Sequence, residues 1–391
     1  DGGTIPGPNP PSGKGNDSTT ARGAGWGCRA PPALRWYRTR LYDGSHEDTV
    51  MHSDLPNARG YFNLLEAAHG RMRIAGWMLL PKSPLDSFRL IIDGDAVTSG
   101  PLAESMDIRG AFPFLPHASR TVFDASVPFP VQPGIRMITV IGMRKNREAA
   151  KLETCYSGDL VPKQPFPGAL VTRVAGRVSP AFFRASAFTS FRNFAGAAGR
   201  HADISGIRTM LDWGCGCGRL TVMFSEGTDI PGIYGCDIDP ESIEWCRQNL
   251  KGEFRPIPPA PPSGYDDSFF DLVLSSSVLT HLTKENQLEW LREIRRILAP
   301  GGLFLATVHG EFATFFNHGG RIRKILKRGI NDETADGSLD GIAPDGYYRG
   351  TYQKESYTKR VFGDYFKILE YIEAGSLNFQ DLVVMKKPAH H

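Results

Sequence analysis

Apolar and polar positions change their period along the chain. From about Tyr61 to Tyr156 they fall in short strand-like runs: RMRIAGWMLL (Arg71 to Leu80), FRLIIDGDAV (Phe88 to Val97), TVFDASVPF (Thr121 to Phe129), IRMITVIGM (Ile135 to Met143) and KLETCY (Lys151 to Tyr156). Glycine and proline punctuate them, and Asp93-Gly94 reads as a hairpin turn. Several short strands at roughly regular spacing predict an all-β, sandwich-like domain over residues 51–160. Helical spacing takes over in SPAFFRASAFTSFRNFAGAAGR (Ser179 to Arg200), with Phe182, Phe183, Phe188, Phe191 and Phe194 as its apolar stripe. Beyond Ile207 strands and helices alternate. That order predicts a doubly wound α/β sheet, covered on both faces, within residues 170–391.

Composition changes this picture at the edges. Residues 1–50 read as a Gly/Pro-rich tail, most biased from Asp1 to Pro32, with too little apolar area to offset chain entropy. A Pro-rich joint, VPKQPFPG (Val161 to Gly168), separates the two halves. The chain opens on Asp1 rather than Met and closes on His390 and His391, which reads as trimmed ends. A net charge of +3 over 391 residues gives no reason to expect a nucleic-acid partner. No apolar run reaches the length of a membrane span. Six cysteines in a chain this long are not a disulfide framework, and the simplest reading is cytoplasmic. Oligomeric state is left open.

The candidate chemistry lies in four segments. In IRTMLDWGCGCGRLTVMF (Ile207 to Phe224) an apolar strand runs to Asp212, the loop Gly214, Gly216, Gly218 follows, and a helix begins near Arg219. Glycines allow a tight turn and close approach to a ligand, and a helix N-terminus offers amide donors. In GIYGCDIDPESIEWCRQNLKG (Gly232 to Gly252) a second strand ends at Asp237, 25 positions after Asp212. An acid there is placed to hold a ribose diol. Asp239, directly before Pro240, reads instead as a helix cap. In YDDSFFDLVLSSSVLTHL (Tyr265 to Leu282) a strand runs into Ser275, Ser276 and Ser277. In QLEWLREIRRILAPGGLFLATVHG (Gln287 to Gly310) a helix stops at Pro300-Gly301-Gly302 and a strand follows, ending at His309.

LDWGCGCGR, GCDID, FDLVLSSSVLTHL and LREIRRILAPGGLFLATVHG, in that order, resemble the class I S-adenosylmethionine-dependent methyltransferases. The likeness extends from Ile207 to Pro388, with FKILEYI and QDLVVMKKP as the last two strands, the final one antiparallel. It is nearest a bacterial branch that carries the DWGCGCGR, THL and TVHG segments. The resemblance implies S-adenosyl-L-methionine as cofactor and S-adenosyl-L-homocysteine as product. It places Asp212, Gly214, Gly216 and Gly218 around the methionine part, Asp237 on the ribose and Ile238 on the adenine, with Ser275 and Ser276 at the same edge. The stretch after the third strand, FRPIPPAPPSGYDD, has no acid directly following it.

Methyl transfer to a hydroxyl needs a base as well as alignment. His281 and His309 both follow strand ends at the ligand edge, and His309 ranks slightly ahead; the structural reading of His281 is packing near a helix start. An insertion over residues 311–357 has lid character, with Tyr347, Tyr348 and Tyr352 as acceptor-pocket candidates. It contains the basic stretch RIRKILKR (Arg321 to Arg328), read as a solvated amphipathic helix. Cys215 and Cys217, with Cys236 and Cys246, lack zinc-site spacing, so no metal is expected. The expected function is O-methylation of a saccharide or polar small molecule. The alternatives are N-methylation of a small amine, a non-catalytic glycan-binding module with a cofactor-holding domain, and a nicotinamide oxidoreductase. The last has no need of the Asp212 and Pro-Gly-Gly motifs.

Overall fold

The structure, a computed structural model, describes residues 55–389 apart from 113–114, 116, 131–134, 158–165, 177, 179, 318–324, 326 and 338. The expected tail and most of the Pro-rich joint lie outside the described residues.

The first part consists of β1 (Arg59–Ala68), β2 (Arg71–Leu79), β3 (Ser87–Ile92), β4 (Asp95–Pro101), β5 (Ala103–Glu104), helix α1 (Met106–Ala111), β6 (Arg120–Pro128), β7 (Ile135–Arg144) and β8 (Arg147–Ser157). They form two antiparallel sheets, ordered β1-β2-β6-β5 and β4-β3-β7-β8. The Asp93-Gly94 turn closes the β3–β4 hairpin, with both residues at positive φ (53° and 98°). Met72, Ile74, Phe123 and Val127 from one sheet share a single apolar cluster with Phe88, Leu90, Ile138 and Val140 from the other. Strand β1 went unread in the sequence. Its RGYFNLLEAA has no clean alternation, and its register slips between Phe62 and Leu64.

Helices α2 (Gly168–Ala175) and α3 (Pro180–Gly199) follow. Phe183, Phe188, Phe191 and Phe194 of α3 are buried as expected, whereas Phe182 is 54% exposed and does not belong to the stripe. The helix is buried without a break from Phe183 to Phe191, and Phe182 lies just ahead of that run, near the helix start.

The second part runs β9 (Thr209–Trp213), α4 (Arg219–Gly227), β10 (Gly232–Asp237), α5 (Pro240–Asn249), β11 (Glu253–Pro256), β12 (Phe270–Ser275), α6 (Lys284–Ile297), β13 (Leu298–Val308), α7 (Glu311–Asn317), β14 (Ile330–Ala335), β15 (Arg349–Gln353), α8 (Glu355–Gly363), β16 (Lys367–Ser376) and β17 (Gln380–Lys386). The main sheet is ordered β11-β10-β9-β12-β13-β17-β16, parallel except for β17, which is antiparallel to both neighbours. Consecutive residues feed opposite faces: Met210 packs with Phe191 and Phe224, Leu211 with Trp290 and Phe304. The strand order reverses on either side of β9, so a crevice opens above the carboxyl ends of β9, β10 and β12.

The two parts are packed together. Ile135 and Cys155 enter the cluster that holds Phe188 and Leu305, Asn378 Nδ2 donates to the Glu153 carbonyl at 2.6 Å, and Arg59 pairs with Glu373. No helix among the described residues is long and apolar enough to cross a membrane.

Candidate active site

A cleft open to solvent occupies the crevice. Its floor is the glycine loop. Gly214, Gly216 and Gly218 all have positive φ (75°, 51° and 77°). A Cβ on Gly214 would lie 2.1 Å from Val278 Cγ2, and one on Gly216 would lie 2.6 Å from Val174 Cγ2. Backbone conformation and space both demand glycine there. Gly214 and Gly216 line the cleft; Gly218 caps α4 from behind and packs toward Leu250.

Asp237 and Ile238 stand at the end of β10 on the cleft wall. One carboxyl oxygen of Asp237 accepts the Gly216 amide at 2.7 Å, and the other accepts the Asp239 amide at 2.9 Å. Burial raises the Asp237 pKa, and the two amide bonds oppose that shift. Asp239 is the expected cap of α5. It accepts from the Glu241 amide and the Ser242 hydroxyl, and Pro240 follows it. Such a cap contributes about 1 kcal/mol. Asp239 also pairs with Arg173 at 2.9 Å.

Asp212 is placed differently from the expectation. It is 1% exposed, lies beneath the loop and accepts the Thr221 hydroxyl at 2.6 Å. It is not part of the cleft surface. Burial pushes its pKa up to about 6; the Thr221 bond lowers it and the charge of Asp237 raises it. Of the serines, Ser276 lines the cleft while Ser275 is fully buried at the strand end. The serine turn is fixed by Thr307, whose hydroxyl accepts the Ser277 amide at 2.7 Å.

The two histidines lie at different depths. His281 lines the cleft and its side chain is 17% exposed, whereas His309 is 7% exposed and set behind it, ring centroids 6.1 Å apart. His281 precedes α6, whose cap is Thr283. The insertion packs onto both. Tyr348 stacks on His281 (4.2 Å, 8°) and Tyr352 on His309 (4.8 Å, 21°). Thr351 and Arg349 donate backbone bonds to the carbonyls of Thr280 and His281 at 2.7 and 2.8 Å, and Gln353 to that of His309 at 2.9 Å. Tyr348 reaches the cleft and Tyr352 does not. The basic stretch lies mostly outside the described residues; within it Ile325 is buried and Arg328 pairs with Glu333 at 2.9 Å.

The sequence reading missed Arg173 and Val174, which α2 lays over the cleft, and Arg219, the first residue of α4. Arg219 was readable as the position after the glycines; α2 hid behind the prolines that precede it. Cys215, Cys217 and Cys236 are buried. The Cys246 contact and burial raise the Cys215 pKa, and burial pushes Cys217 up to about 12.

Residues 211–306 match the methyltransferase domain family. A Bacillus subtilis protein named as a methyltransferase, YqeM, is 28% identical over 114 residues, 26% of this chain and 43% of that one. The Arabidopsis thaliana tRNA (carboxymethyluridine(34)-5-O)-methyltransferase is 30% identical over 139 residues, 35% of this chain and 32% of that one. This chain thus spans less than half the length of these curated relatives. An S-adenosylmethionine-dependent methyltransferase from Mesorhizobium loti superposes with a TM-score of 0.39 at 14% identity, covering 51% of this chain and 100% of that one. The glycine loop and the strand-end acid both fall inside the matched stretch: residues 211–306 carry a methyltransferase domain, similar to S-adenosylmethionine-dependent methyltransferases.

Proposed function

We propose that the protein transfers a methyl group from S-adenosylmethionine to a hydroxyl of a saccharide or similar polar small molecule. The observation that carries this reading is the cleft wall itself, where Asp237 and His281 face one space. The residues fit the cofactor. The two Asp237 oxygens each accept one backbone amide, which leaves lone pairs for a ribose diol. Ile238, Ile257 and Val278 offer apolar faces for adenine, and the Gly214–Gly216 floor admits the amino-acid end.

Held by Asp237, Ile238 and the Gly214–Gly216 floor, the cofactor would supply an activated methyl group and would keep the departing electron pair on its sulfur, while the acceptor oxygen would give up its proton to the protein. The chain's part is to align the acceptor and receive that proton. His281 is assigned the base, and His309 the packing role. Imidazole titrates close enough to neutral pH for this task. The Arabidopsis relative is named for transfer to an oxygen on a carboxymethyluridine of tRNA, which supports oxygen as the accepting atom. The two antiparallel sheets with their shared cluster support reading residues 51–160 as a sandwich-like module beside a methyltransferase domain over 170–391.

The test is mass spectrometry of acceptor mixtures incubated with methyl-labelled cofactor, with saccharides, small amines and tRNA as separate arms. Label on a saccharide or polyol hydroxyl supports the reading. Label confined to an amine or to tRNA replaces it.

A further inference from the structure

We infer that Asp336, from the insertion, is a positioning residue that completes a histidine–carboxylate dyad with His281. This rests on the reading of His281 as the base. Two elements distant in sequence create the contact. His281 sits in the turn between β12 and α6, and Asp336 follows β14 directly. Asp336 Oδ2 lies 3.2 Å from His281 Nδ1, with the two side chains 23% and 17% exposed. The Nδ1 atom is buried and makes no aligned hydrogen bond, so its contact with Asp336 is one of charge and proximity, and the nitrogen left to face the cleft is Nε2.

The arrangement has a chemical consequence. A neutral imidazole carries its proton on one nitrogen only, and a carboxylate beside Nδ1 selects the Nδ1–H tautomer. The basic lone pair is then presented at Nε2, toward the acceptor. Once Nε2 takes the acceptor's proton, the adjacent carboxylate stabilises the imidazolium. Tyr348 restricts rotation of the ring, stacked on it within 8° of parallel. The insertion therefore supplies both the stack and the carboxylate, and it is anchored by the backbone bonds of Arg349 and Thr351 to the His281 loop. The other groups facing this cluster are His309 from the end of β13, Tyr348 from the insertion, and Asp237, whose charge acts on Tyr348.

The test reads the ring rather than turnover. Long-range proton–nitrogen spectra of histidine-labelled protein, with the His281 signal assigned through His281→Gln, report tautomer and titration directly. The expected wild-type signal is that of the Nδ1–H tautomer. Asp336→Asn should mix the tautomers, as removal of a facing charge requires. Asp336→Glu should restore most of the Nδ1–H population. An Nε2–H tautomer in the wild type, or the same tautomer population in wild type and Asp336→Asn, overturns the dyad. S-adenosylhomocysteine binding by the Asp336→Asn protein serves as the folding control. Single-turnover transfer by His281→Gln separates the two levels of the argument: wild-type rates with an intact dyad signature would remove the base assignment and leave the dyad standing.

Discussion

Asp212→Asn should make the protein more stable, and more so as the pH rises. The wild-type carboxyl is almost completely buried, with the Thr221 hydroxyl at 2.6 Å as its hydrogen-bond donor. Its pKa is pushed up to about 6 by burial, from an ordinary value of 3.8. A raised folded pKa means that the native state binds the proton more tightly than the unfolded chain does. Stability is therefore lost as pH rises from the unfolded value through the folded one. A shift of about two units corresponds to about 3 kcal/mol of cost once the native carboxyl is ionised. Asparagine removes the charge and can still accept the Thr221 bond. Between pH 5 and pH 8 the unfolded carboxyl is ionised throughout while the native one loses its proton. The variant's advantage should therefore grow by about 1.4 kcal/mol over that interval. Urea denaturation of both proteins at pH 5 and pH 8 measures the difference; titrating groups that do not interact with Asp212 cancel in it, and Asp237, which does, adds a smaller contribution. An advantage that is independent of pH, or a variant less stable at pH 8, would refute the argument. A charge retained at this cost, directly below the cofactor loop, suits a cleft that receives a cationic ligand. The same substitution should therefore weaken binding of the sulfonium cofactor.

Three further outcomes follow. Gly214→Ala places a Cβ at 2.1 Å from Val278 Cγ2 at a φ of 75°, and should destabilise the protein by about 2–4 kcal/mol in urea titrations while closing the cleft to cofactor. His281→Ala should lower single-turnover transfer by at least about tenfold with S-adenosylhomocysteine affinity nearly unchanged; a wild-type rate would exclude it as base. His309→Ala should act mainly on stability, because its ring stacks on Tyr352 behind the cleft, and thermal unfolding should register a loss while transfer per folded molecule stays within a few-fold.

The sheet, its order of elements and the strand-end acids were legible because covalent succession fixes them. A strand that runs into glycines and then a helix can only present those glycines at the strand's carboxyl end. Asp237 and Asp239 were separable for the same reason, since Pro240 marks Asp239 as the cap. What depended on packing between distant segments was not legible. Whether His281 or His309 faces the cleft is decided by how β15 docks, and nothing local records that. Asp212 looked like a cleft residue, yet one step along a strand turns a side chain to the other face, and Thr221 holds it there. Phe182 was misread because a run of phenylalanines carries no phase of its own. Arg173 and Val174 come over the cleft on a helix that the surrounding prolines concealed, and Asp336 meets His281 only through the fold of the insertion.

The cleft between the glycine loop and Asp237 is proposed to hold the S-adenosyl cofactor. Calorimetric titration with S-adenosylhomocysteine, on the wild type and on Asp237→Ala, reads this out. The expected result is one site per chain in the wild type, no binding of NAD, and a loss of about 2–4 kcal/mol in the folded variant as charge-assisted hydrogen bonds disappear. Undiminished affinity in a folded Asp237→Ala protein, or binding of NAD in place of S-adenosylhomocysteine, would contradict it.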